Sequence, residues 1–268
     1  MSFFSNKVVV VTGGSEGIGR ALIGLLIETG AKVATCGRQY DKLYALQIEY
    51  SQFMLHTMVC DVSNEEECRR FIKSTVETFG TIDILINNAG ISMRSLFDDT
   101  ETNVIRQLMD VNFMGAVYCT KEALPYIIES KGAIVGISSA AGYRGLPGRS
   151  GYSASKFALQ GWLESLRTEL MYTGVHVMWV SPGFTTSNIR NAALNSKGVS
   201  QGESVLDESK LMSAETCAKY ILNAIEKRKR VLVLTFAGKL TVFLNKFFPS
   251  LADKLVYRHY FKNGELVK

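Results

Sequence analysis

The chain has 268 residues, 47% of them hydrophobic and 21% charged, with a formal net charge of +5 at pH 7. That composition suits a soluble α/β domain with a large core, and without an aromatic-interleaved basic stripe it gives no sign of nucleic-acid binding. No run of about 18 apolar residues reads as a membrane span, and three scattered histidines with no Cys-x-x-Cys offer no metal site.

Met1 to Lys7 lacks the apolar core of a signal peptide, so the chain is expected on the cytoplasmic side. The five cysteines, an odd number, read as buried thiols in a reducing compartment. Val8 to Thr12 is a β-branched run that ends in a glycine turn, and Arg20 to Thr29 follows with helix-period apolar residues. Gly13, Gly17 and Gly19 let the backbone turn sharply and approach a pyrophosphate, with Ser15 and Ile18 between them, so that the phosphate charge sits on the helix N-terminus.

A second strand, Lys32 to Thr35, leads to Arg38. A carboxylate at this place accepts hydrogen bonds from a free ribose 2′-hydroxyl, whereas an arginine pairs with a 2′-phosphate. The residue therefore predicts NADP(H) over NAD(H), with Ser15 as a second phosphate contact; Glu16 inside the loop argues the other way. Asp41 to Tyr50 reads as a helix, and Met54 to Cys60 as a third strand ending in Asp61-Val62. Asp61 either accepts from an adenine amine or caps the helix that spans 64–79. Ile82 to Ile86 is a fourth strand, followed by Asn88, Ala89 and Gly90, small and amide residues suited to packing against a cofactor or to a plain turn.

Thr100 to Ser130 is mostly helical, with Asn112 among apolar neighbours that leave its amide in need of partners. Gly132 to Ile137 is a fifth strand ending in Ser138-Ser139, after which a glycine-rich loop leads to the helix carrying Tyr152 and Lys156. Four residues apart, those side chains leave one helix face, and the ammonium is placed to lower the phenol from its usual pKa of about 10. Val175 to Val180 is a sixth strand ending before Pro182-Gly183, and Arg230 to Thr235 a seventh. Strands alternating with helices describe a doubly wound, seven-stranded parallel sheet, a Rossmann fold over 1–235, with its ligand crevice at the strands' C-terminal ends.

These motifs, in this order, resemble the short-chain dehydrogenases/reductases in their single-domain form, over residues 6–235, and among them the hydroxysteroid dehydrogenase and lipid ketone reductase-like members. The resemblance implies that Asn112, Ser139, Tyr152 and Lys156 form a catalytic tetrad. Ser139 polarises a carbonyl and Tyr152 protonates the developing alkoxide. Lys156 holds the nicotinamide ribose, Asn112 keeps a relay water, and Thr185, shortly after Pro182-Gly183, binds the carboxamide. It further implies a homodimer or homotetramer built through 100–130 and 152–173. The alternative is a non-catalytic NADP(H)-binding regulatory protein, although such proteins often lose a tetrad residue and this chain keeps all four.

Two segments bear on substrate. Thr185 to Met212, polar and rich in Ser, Asn and Gly, reads as a mobile lid or as a plain surface loop. The extension 236–268 alternates apolar residues with Lys246, Lys254 and Arg258, so 240–262 either touches a membrane surface or packs on its own domain or a partner. In each case an apolar tail beside the crevice favours a hydrophobic ketone: a 3-oxoacyl, sphingoid-type or steroid-like molecule.

Overall fold

A computed structural model describes residues 2–202 and 211–267; residues 203–210, in the C-terminal part of the expected lid, lie outside the described residues. In chain order the elements are β1 (Val8–Thr12), α1 (Gly17–Glu28), β2 (Lys32–Gly37), α2 (Tyr40–Glu49), β3 (Leu55–Val59), α3 (Glu65–Phe79) and β4 (Ile84–Asn87). Then come α4 (Thr102–Met109), a π-helical turn over Asp110–Met114, α5 (Gly115–Glu129), β5 (Ala133–Ile137), α6 (Ser150–Glu169), β6 (His176–Ser181), α7 (Ala214–Glu226) and β7 (Val231–Val233). The seven strands form one parallel sheet in the order β3-β2-β1-β4-β5-β6-β7.

Strand alternation divides the core. Val9 and Val11 of β1 pack with Leu22, Ile23 and Leu26 of α1 and Ile221 of α7. Val8 and Val10 point the other way, towards Phe71 of α3, Cys119 and Ile127 of α5, and Leu159 and Leu163 of α6. Both faces are thus covered, which is why β1 reads as an unbroken valine run rather than an alternating one. The chain leaves β1 on one side and β4 on the other, and the strand ends part at that switch point, where α/β sheets open their crevice.

Several expected boundaries move for local reasons. The seventh strand stops at Val233, because Thr235 adopts a φ of 63° and its hydroxyl accepts from Gly238 N at 3.1 Å, capping a new helix. Asn64, not Asp61, caps α3, with its side chain accepting from Glu67 N; the Asp61 carboxylate instead accepts from Ser63 N and Oγ at 3.0 and 2.7 Å. The long helical stretch is two helices joined by the π turn. Gly115 lies where a Cβ would come within 2.8 Å of the Val62 side chain, so α5 approaches the end of the β3 segment at a distance only glycine permits.

The C-terminal extension is ordered as α8 (Phe236–Phe247), α9 (Pro249–Tyr260) and a short antiparallel pair, β8 (Phe261–Lys262) with β9 (Glu265–Leu266). It is fastened to the loop that follows β5. Arg144 Nη1 donates to Asn245 Oδ1 at 3.0 Å and its Nη2 pairs with Asp253, while Asn245 Nδ2 donates to Tyr143 O at 2.8 Å. Tyr260 is buried, whereas Phe243, Phe247, Leu251 and Leu255 remain exposed. Among the described residues no helix is long and apolar enough to cross a membrane. The described part of the lid segment is tied down rather than free-standing: Leu194 N donates to Ser92 O, Arg94 N to Leu194 O, and Glu101 N to Ser196 O.

Candidate active site

The crevice at the switch point begins with a clamp between β1 and β4. The Thr12 hydroxyl accepts from Asn88 N and Ala89 N, both at 3.0 Å, and the Asn88 amide donates to the carbonyls of Thr12 and Gly13 at 2.9 and 3.0 Å. Gly13, with φ +68°, lies where a Cβ would meet Ala89 Cα at 2.9 Å, and a Cβ on Gly19 would meet Gly13 O at 2.3 Å. Gly13 and Gly19 are therefore packing glycines that set the loop's path. Gly17, at φ +54°, faces the cleft opposite Ser187. No side chain caps the N-terminus of α1, so its first amides are left for an anion. This is the cradle a dinucleotide pyrophosphate needs, and the residues present fit one.

The cleft is lined by the expected Gly13, Ser15, Gly17, Ile18, Arg38, Asp61, Val62, Asn88, Ala89, Gly90, Ser139, Tyr152, Lys156, Pro182, Gly183 and Thr185. Gly19 and Asn112 lie behind it. Ser15 Oγ lies over Gly37, next to the exposed Arg38. Glu16, which argued against a 2′-phosphate, is ion-paired with Lys42. Thr185 is buried, with its hydroxyl donating to Gly183 O at 3.2 Å and its carbonyl accepting from Arg190 Nη2 at 2.9 Å.

Asn112 stands in the π turn, buried, with Oδ1 accepting from Ile91 N at 2.8 Å and Nδ2 donating to Ile91 O and Ser155 Oγ at 3.0 and 2.9 Å. Both amide hydrogens are used within the protein. A relay water at this residue would therefore have to be held by its backbone carbonyl, and a π turn is where carbonyls are released from regular pairing. Ser138 turns inward to accept from Gln160 Nε2 at 2.7 Å, whereas Ser139 is in hydrogen-bonding contact with the Tyr152 hydroxyl.

Electrostatics around the tyrosine differ from the simple lysine–tyrosine pair. Burial pushes the Tyr152 phenol up, against the Ser139 hydrogen bond and the charges of Arg149 and Arg190. Lys156 lies over the same ring, its Nζ 5.7 Å from the ring centroid and donating to Ile137 O at 2.8 Å. Burial in turn draws the Lys156 ammonium down to about 8. Two arginines that the sequence reading did not single out, Arg149 and Arg190, add to the positive field on the phenol. Arg149 had a local signal, being one helical turn before Tyr152. Tyr260, which α9 delivers to the same cleft, had none. All five cysteines are buried and free; Cys36, Cys60, Cys68 and Cys119 cluster on one face of the sheet, Cys217 lies on the other, and Cys36 and Cys60, hydrogen-bonded to each other, line the cleft.

Comparison with known proteins places this geometry. The family described as short chain dehydrogenase matches residues 7–197. The chain is 34% identical over 263 residues to the mouse dehydrogenase/reductase SDR family member 7B, covering 95% of this chain and 81% of that one. It is 33% identical to 11-beta-hydroxysteroid dehydrogenase 1A of Arabidopsis thaliana, covering 92% and 73%. A short chain dehydrogenase/reductase from Burkholderia phymatum, solved in complex with NAD, superposes with a TM-score of 0.82 over 94% of this chain and 96% of that one, at 23% identity.

The buried ammonium makes stability depend on pH. With its pKa at about 8 in the folded protein against 10.5 for the free side chain, Lys156 is protonated in the unfolded chain and not in the folded one between those values. Stability contributed by this group therefore rises with pH across that window. Chemical denaturation of the protein and of Lys156→Met should give a stability difference that is flat below pH 8 and grows in favour of the native sequence up to pH 10.5. A difference that stays flat throughout would mean the ammonium is not held down by burial.

Proposed function

The chain belongs to the short-chain dehydrogenase family, oxidoreductases of CH–OH and C=O groups, and from that premise we propose that it is an NADPH-dependent reductase of a hydrophobic ketone. One observation carries the reading: Ser139 and Tyr152 meet beside the buried Lys156 at one end of a cleft whose other end is formed by the glycine loop and Arg38.

The bound nicotinamide dinucleotide supplies the hydride. The protein supplies position and polarity. Gly13, Gly17 and the open N-terminus of α1 receive the pyrophosphate. Arg38, with Ser15 beside it, pairs with a 2′-phosphate, and the acid that would repel that phosphate, Glu16, is neutralised by Lys42. Asp61 and Val62 would border the adenine, Asn88 to Gly90 the dinucleotide, and Pro182, Gly183 and Thr185 the nicotinamide, since all line the cleft. Lys156 is placed to donate to ribose hydroxyls. At the reacting carbonyl, the hydroxyls of Ser139 and Tyr152 converge on one oxygen, which stabilises the negative charge that develops there. Tyr152 then gives its proton to that oxygen, helped by the positive field of Arg149 and Arg190 on the phenolate left behind. Asn112, fixed to Ile91 and Ser155, holds the π turn behind Gly90 and Lys156.

NADPH consumption against 3-oxoacyl thioesters, sphingoid-type ketones and steroids should reveal turnover that falls by roughly two to four orders of magnitude in Tyr152→Phe. Tight NADPH binding with no turnover on any of these would favour a cofactor-binding regulatory protein. In the same assay, Arg38→Asp should shift the NADPH-to-NADH preference by on the order of tenfold or more; an unchanged preference would remove Arg38 from the 2′-phosphate site.

A further inference from the structure

The charges lining the cleft are unevenly divided. Its acids are Glu16, paired with Lys42, and Asp61, folded onto Ser63 at the end of the β3 edge strand. Around Tyr152 the described lining residues include Arg149, Arg190 and Lys156 and no acid. Arg149 occupies the N-cap position of α6, half-buried. Its Nη1 reaches Ser92 Oγ at 3.5 Å, a long contact, and its Nε is buried without a hydrogen-bond partner among the described residues. Its charge acts on the phenols of both Tyr152 and Tyr260, the tyrosine that α9 inserts, and all three line the same cleft. Leu146, Phe184 and Ile189 give the same cleft apolar walls.

A guanidinium has five N–H donors in a planar fork, and holding it partly out of water without a carboxylate is costly. A neutral ketone leaves that cost uncompensated. A carboxylate or phosphate monoester meets the fork with charge-assisted hydrogen bonds, while an apolar body fills the remaining walls. We propose that the substrate is an amphiphilic ketone bearing an anionic group, and that Arg149, flanked by Tyr260, binds that group and fixes which ketone is presented to Tyr152. The proposal rests on the reductase reading and narrows its substrate.

The test compares medium-chain ketones that end in a carboxylate, in a phosphate monoester or in a methyl ester, at saturating NADPH. The native protein is expected to favour at least one anion over the ester by on the order of tenfold or more in kcat/KM, chiefly through KM. Arg149→Met should erase that ratio and Arg149→Lys should restore part of it. The anion preferred, carboxylate or phosphate, identifies the headgroup. Equal use of the ester by the native protein, or an unchanged ratio in Arg149→Met, overturns the proposal. If no ketone is reduced, the reductase reading is what fails, and binding decides this proposal separately. The melting temperature of the NADPH-loaded protein should rise more with an anionic ketone than with the ester, and that difference should vanish in Arg149→Met. Equal shifts, or none with either anion, overturn it.

Discussion

The hydroxyl of Thr12 and the amide of Asn88 tie the end of β1 to the end of β4, and the cleft depends on that tie. Parallel strands leave their C-terminal carbonyls and amides without ladder partners where the chain departs to opposite faces. Here four hydrogen bonds occupy those groups and fix the path of the glycine loop. With Gly13 seated against Ala89 and Gly19 beneath Gly13, the amides of α1 face the cleft instead of the core. The other end of the cleft follows from the next strand over: Ser139 lies two residues past the end of β5, and α6, packed on the sheet through Leu159 and Leu163, returns Tyr152 and Lys156 to the same rim.

The rim is strongly cationic. Burial keeps the phenol protonated and draws the Lys156 ammonium down to about 8, two shifts that disfavour charge in the absence of counter-charge. Arg149 and Arg190 act in the opposite sense on the phenol. A proton held on Tyr152 until an alkoxide forms, with cations nearby to stabilise the phenolate afterwards, is the arrangement that carbonyl reduction requires. The same cations are the ground for the proposed anionic group on the substrate, which the hydrophobic content of the chain does not suggest.

The sheet and the glycine-loop end of the cleft were legible in the sequence because both are local. A valine run followed by closely spaced glycines and an amphipathic helix is a self-contained unit, and Arg38 lies at the end of the very next strand. The Tyr152–Lys156 spacing was legible for the same reason, although the lysine's hydrogen bond to Ile137 O was not, since that acceptor comes from another strand. Asp61 illustrates a local pattern with two readings: its distance from α3 allowed a cap, and the three-dimensional path gave that role to Asn64. The tail was the least legible part. Its apolar and basic alternation fits a membrane, a partner or its own domain, and only the fold brings Asn245 and Asp253 to Arg144 and Tyr260 into the cleft. Contacts of such long sequence separation leave no periodic trace.

The central claim is that this cleft passes hydride between a nicotinamide dinucleotide and a carbonyl carbon held by Ser139 and Tyr152. The most direct measurement is to supply NADPH deuterated at both C4 positions of the nicotinamide with candidate ketones and to locate the label in the products by mass spectrometry. Deuterium on the carbinol carbon, and on no other, is the predicted result. Tight binding of the labelled cofactor with no deuterium transferred to any ketone would contradict it.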